Sequence, residues 1–182
     1  MNRLAILFVG AMCLCLAVSA SGMQALAEPD RVPTLAELAG SYTYVGDRAK
    51  DEAAIKAKAD RATADMGRLT LKRALPRLEA STRIPDRLSI TLQGDEVIIK
   101  MDDHSVKVPR DGSSAAAATE FGDPADVSFD NKTATLLQSV PKTGGKKTNE
   151  FRFDKPGQLV MQVRVTSSRL AAPVVFSTRY AK

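Results

Sequence analysis

The chain has 182 residues, and its two cysteines, Cys13 and Cys15, both lie in an N-terminal apolar run, so its folded part must rest on a hydrophobic core without a disulfide. That placement excludes thiol catalysis and thiolate metal sites there, and a single histidine, His104, excludes a His pair at metal-ligating spacing. The formal charge of +5 is uneven: Arg68 to Arg87 holds six cations against two carboxylates with no aromatic between them, a pattern that suits an anionic partner and excludes a nucleic-acid stacking platform.

In chain order, Arg3, the apolar run Leu4 to Val18 and Ala25-Leu26-Ala27 predict a secretory signal over 1–27, cleaved after Ala27, for a periplasmic or secreted product. The run is too short and wrongly flanked for a spanning helix. Cys13 follows Met12 and Cys15 follows Leu14, so neither has the small preceding residue of a lipoprotein signal. An extended leader over 28–37, with Pro29 and Pro33, then precedes a single β-barrel domain over 38–182. Ser41 to Val45 reads as a strand with Tyr42 and Tyr44 on one face. Asp47 is placed to cap a helix over Lys50 to Met66, in which Ile55, Ala59, Ala62 and Met66 form one stripe. After Gly67 a second helix runs from Arg68 towards Ala80 with Leu71, Leu75 and Leu78 on one side, and Pro76 is expected to kink or delay it. Together they form a helical insertion over about 48–82.

From Arg87 onward the period changes to two. Arg87 to Gln93, Glu96 to Met101, His104 to Val108, Ala115 to Phe121, a segment around Val127 and Phe129, Thr133 to Val140, Thr148 to Phe153, Gln158 to Thr166 and Pro173 to Tyr180 each read as a strand. Gly94-Asp95, Asp102-Asp103, Lys142 to Lys146 and Asp154 to Gly157 supply the turns. Short links between alternating strands predict a mostly β fold with an α insertion: an antiparallel up-and-down meander of about 8–10 strands, closing as a barrel in preference to a sandwich. Its first and last strands pair, and the helices cover one end or flank.

Leu38-Ala39-Gly40-Ser41-Tyr42 resembles the start of lipocalin-type barrels, where Gly-x-aromatic opens the first strand, with Tyr42 standing in place of Trp. The whole arrangement from Leu38 to Tyr180, with the charged Ala-rich helix, Ile84-Pro85-Asp86-Arg87-Leu88 and a terminal hairpin ending in Tyr, resembles a group of exported bacterial proteins of uncharacterised role. That resemblance implies a calycin-like, lipocalin-like barrel with a helical insertion. Its motifs are structural and imply no activity.

Catalytic patterns are scarce. Asp102-Asp103-His104 carries the residue types for cation binding or proton transfer, but reads more simply as a polar reversal between strands. Ser139, Ser167 and Ser168 lack a nucleophile elbow. Gly144-Gly145-Lys146-Lys147 lacks the spacing and following helix of a phosphate loop and reads as a hairpin. Asn131-Lys132-Thr133 matches a glycosylation sequon, of little weight for a bacterial-looking signal. The chain is accordingly expected to be non-enzymatic and to need no cofactor or metal. Its inward residues either fill the barrel or line a pocket for a small apolar ligand such as a lipid. Residues nominated for the pocket are Tyr42, Tyr44, Ile90, Ile99, Phe129, Phe153, Met161, Phe176 and Tyr180, with the tyrosine hydroxyls at its mouth. As an alternative role, Arg68, Lys72, Arg73 and Arg77 would dock the chain on an anionic membrane surface or acidic envelope partner, and a hydrolase using His104 stands third.

Overall fold

The computed structural model describes residues 31–182; the secretory signal expected over 1–27 lies outside the described residues. Among the described residues, three helices, α1 Leu35–Leu38, α2 Arg48–Ala62 and α3 Arg68–Thr82, accompany ten strands. These are β1 Gly40–Tyr44, β2 Arg87–Gln93, β3 Glu96–Met101, β4 His104–Pro109, β5 Ala115–Ala118, β6 Pro124–Asp130, β7 Thr135–Val140, β8 Gly145–Lys155, β9 Gln158–Thr166 and β10 Val174–Ala181. Most strands follow the period-two pattern of the sequence to within a residue or two. β8 is longer than Thr148 to Phe153, because its twin register with β7 and β9 carries the pairing back to Gly145 and Lys146. β5 is shorter than expected, ending at Ala118 before a reversal closed by Thr119 N–H donating to the Asp123 carbonyl at 2.8 Å.

All ten strands form one antiparallel sheet in the order β4-β3-β2-β1-β10-β9-β8-β7-β6-β5. The first and last strands pair, with Tyr44 opposite Tyr180, so the sheet curls into a barrel closed except between β4 and β5, which lie side by side without a ladder. Alternation sends Leu88, Ile90, Val97, Ile99, Val106, Val108, Val127, Phe129, Phe151, Leu159, Met161 and Phe176 inward into a single apolar cluster. Burying such side chains stabilises by roughly 1.5–3 kcal/mol each.

Because each strand reverses the last, the β1–β2, β3–β4, β5–β6, β7–β8 and β9–β10 connections share one end of the barrel. The α2–α3 insertion occupies the first of these and covers that end. α2 is capped by Asp47, whose side chain accepts from the Lys50 N–H, and buries Ile55, Ala59 and Ala62. Ala171 N–H donates to the Ala62 carbonyl at 2.9 Å, and Lys58 Nζ donates to the Val175 carbonyl at 2.8 Å, fastening α2 to the start of β10. α3 runs unbroken through Pro76 to Thr82, two residues beyond the expected end. Pro76 and Lys72 are both exposed, so the helical hydrogen bond that Pro76 cannot donate is lost on the outer side of the helix. At the opposite end the leader is not extended throughout. Thr34 and Glu37 form a capping box that starts the one-turn α1, and Leu38 is fully buried there as a plug.

Candidate functional site

Beneath the C-terminal part of α3, the barrel mouth forms a half-open cavity of about 330 Å³. Its apolar wall is Met101 at the end of β3, Met161 and Val163 on β9, Ala80 on α3 and Pro85 in the link from α3 to β2. Ionisable side chains complete it: His104 at the first position of β4, Glu120 in the β5–β6 loop and Lys147 near the start of β8, with Arg83, Asp102 and Asp103 at the rim. Lys147 faces inward because it keeps the parity of Asn149 and Phe151. Its ammonium donates to Glu120 Oε1, and both side chains are largely withdrawn from water, at 9% and 16% exposure. Burial pushes the Glu120 carboxyl up, but the charge and hydrogen bond of Lys147, then its own backbone N–H and the nearby His104, outweigh that and hold it below the usual range.

The pairing is incomplete. Glu120 Oε2, His104 Nε2 and, on the same face of β8, Asn149 Oδ1 are buried without a hydrogen-bond partner. Such atoms are costly in a native interior, and three at one end of one barrel mark a polar site. Among the described residues, no group of three or more His, Cys, Asp or Glu side chains is placed to hold a metal ion. Asp102 is occupied otherwise. It holds a left-handed turn conformation (φ 51°), and its Oδ1 accepts from the Asp86 and Arg87 N–H groups, both at 2.9 Å. It thereby ties the end of the insertion to the β3–β4 turn, while Asp102, Asp103 and His104 all border the cavity.

A second cavity, of about 270 Å³, lies along the preceding turns of α3 and shares Lys147 as a wall. Arg77 closes part of it, donating to both Asp123 carboxylate oxygens at 2.7 and 3.1 Å while its guanidinium lies 4.8 Å over the Phe121 ring. α3 is lightly seated: only Leu78 and Thr82 are buried, Leu71 and Leu75 are half-buried, and Leu69 is 80% exposed.

Of the residues nominated from sequence, Met161 lines the larger cavity. Ile90, Ile99, Phe129 and Phe176 are buried in the core, and Phe153 packs against it half-buried. The three tyrosines stand away from both cavities. The Tyr42 hydroxyl donates to the Leu38 carbonyl at 2.8 Å, and burial pushes it up to about 12. The Tyr44 hydroxyl donates to Asp51 Oδ2 at 2.6 Å and is likewise pushed up to about 12, by burial first and then by Asp51. Tyr180 is fully buried, accepts from Thr178 Oγ1 at 3.4 Å and stacks edge-on to Tyr44 with ring centroids 5.9 Å apart. Of the basic set, Arg68, Lys72 and Arg73 are exposed on α3, whereas Arg77 is committed to Asp123.

Glu120, Lys147 and Asn149 were not nominated from sequence. Extending the alternation of Phe151 and Phe153 backwards places Asn149 and then Lys147 inward, a signal masked by the glycines and lysines that read as a hairpin. No periodic signal marks Glu120, which sits in a loop. No family model matches the sequence, and no curated protein does. Among solved structures, a REP1-NXSQ fatty acid transporter is similar at 16% identity over 81% of this chain and 96% of its own, with a TM-score of 0.45, a likeness too slight to bear on what this chain does.

Proposed function

We propose that this protein is an exported, non-enzymatic carrier that holds a small amphipathic molecule in the barrel mouth beneath α3. The observation that carries this is the 330 Å³ cavity, in which a wall of Met101, Met161 and Val163 meets a buried charged cluster. The volume lies at the lower end of the roughly 300–1,000 Å³ of ligand pockets, which suits a short apolar chain with one polar group and not a bulky polycyclic ligand. The two methionines give a polarizable wall that adapts to ligand shape. Export rests on the signal read in residues 1–27.

Native mass spectrometry of the delipidated protein, reloaded with a short-chain amphiphile, should show one retained equivalent. Ala80→Phe, which places a ring into the cavity from α3, should abolish retention while lowering the melting temperature only by the equivalent of about 1–3 kcal/mol, as overpacking does. Retention unchanged in that variant would place the ligand elsewhere and defeat the proposal.

Leu69 favours a second role for α3. Its exposure between Arg68 and the pair Lys72 and Arg73 gives the helix an apolar tip set in positive charge, the chemistry of a segment that rests on an anionic surface.

A further inference from the structure

Resting on the carrier role just proposed, we infer that the bound molecule presents a hydrogen-bond donor, an alcohol or amine head, to Glu120 Oε2, and that the site discriminates against carboxylates. Within the cavity Lys147 and Glu120 already neutralise one another, so the buried polar groups carry no spare positive charge. A carboxylate placed there would add an uncompensated anion beside Glu120, and burial makes such a charge expensive. The wider rim offers no relief, because Asp102 and Asp103 there outnumber Arg83.

The unpartnered atoms point the same way. An ionised Glu120 Oε2 only accepts, as does Asn149 Oδ1, and His104 Nε2 either donates or accepts according to its tautomer. Two of the three unpartnered atoms are thus acceptors that await a donor. A hydroxyl satisfies Glu120 Oε2 and can still accept from His104 Nε2, and an amine satisfies the same carboxylate oxygen with its charge set against the excess of Asp102 and Asp103 over Arg83 at the rim. A carboxylate has no hydrogen to give Glu120 Oε2.

Calorimetric titration of the delipidated full-length folded protein with octanol, octylamine and octanoate at neutral pH tests this. The first two should bind about ten-fold or more tighter than octanoate, the fold-change that a hydrogen bond to a charged acceptor supplies. The alcohol and amine arms separate a neutral from a cationic head. Glu120→Gln, which frees the Lys147 ammonium, should reverse the order and make octanoate the tightest of the three. Octanoate binding to the unaltered protein as tightly as octanol and octylamine would overturn the inference while leaving the carrier role intact. Failure of all three to bind would overturn the carrier role itself. The wild-type ranking stands whether or not the variant folds. An unreversed ranking in a folded Glu120→Gln protein would remove Glu120 from the site.

Discussion

Lys147 and Glu120 show how one pair of side chains couples the site to stability. The fold holds the Glu120 carboxyl below its ordinary value of 4.5, so the native state favours the deprotonated form more than the unfolded chain does. Its contribution is therefore fully present above pH 4.5 and is lost as the pH falls through the lower native value. Removing one member of a largely buried pair costs about 3 kcal/mol, because the other is left uncompensated. Thermal melts of wild type and Glu120→Gln should accordingly differ most at neutral pH and converge on acidification below 4.5. A constant offset down to strongly acid pH would mean that the ion pair contributes nothing. Gly46 shows a second constraint at this scale. A Cβ there would lie 2.3 Å from the Tyr44 hydroxyl and 2.7 Å from Asp51 Oδ2, so glycine is what lets the end of β1 dock on α2.

Among the elements, α3 is the one whose sequence serves two masters. Its inward stripe is thin, since Leu78 and Thr82 alone are buried, and Pro76 interrupts its hydrogen-bond ladder. Its outward face keeps Leu69 exposed among Arg68, Lys72 and Arg73. A helix held this lightly across the mouth of a cavity can rest on an anionic surface without dismantling the barrel below it. Joint replacement of Arg68, Lys72 and Arg73 by Ser should remove binding to phosphatidylglycerol vesicles, and added salt should do the same to the unaltered chain, because exposed charge is screened within about 8–10 Å. Leu69→Ser should weaken binding even at low salt, which charge alone does not predict. Vesicle binding indifferent to all three changes would leave the stretch as a solvated helix face. Arg77 is left out of this set on structural grounds: its charge is already spent on Asp123. Sequence could not reveal that, because the partner lies in a loop 46 residues away. The strands were far more legible. β2, β3 and β9 fall where alternation puts them, since a half-buried strand writes its orientation directly into its own residues. The cavity was not legible at all. It depends on how a helix lies over the barrel mouth, and the same apolar residues line a void or fill a core.

The whole molecule is a barrel with unlike ends and one unlaced seam. One end is plugged by Leu38 of α1, while the other carries the two cavities under α3, so exchange of a ligand is expected through the helical end. The seam falls between β4 and β5, neighbours in sequence, because the chain joins its first and last strands and closes the circle elsewhere. Composition explains its weakness. β5 is four alanines, which lack the β-branched side chains that pack well on a pleated sheet, and β4 ends at Pro109, which has no N–H to donate. A side-chain contact braces the junction instead: Asn131 Nδ2, beyond β6, donates to the Arg110 carbonyl just after β4 at 2.6 Å. Short, alanine-built and proline-ended edges also offer little to a passing strand from another molecule, which limits edge-to-edge association. Local opening should therefore begin at this seam and at α3, whereas β9, laced on both sides over nearly its full length, and β10, paired with it along all eight residues, should open only on global unfolding. Amide hydrogen exchange should then show β5 and the free edge of β4 exchanging first and the β9–β10 pair last. Saturation with a bound amphiphile should slow exchange in the C-terminal half of α3 and leave the β5 rate unchanged, since β5 contributes no wall to the larger cavity. Equal protection around all ten strands would mean that the seam is laced in solution, and ligand-dependent protection of β5 would place the binding site against the seam and not beneath the helix.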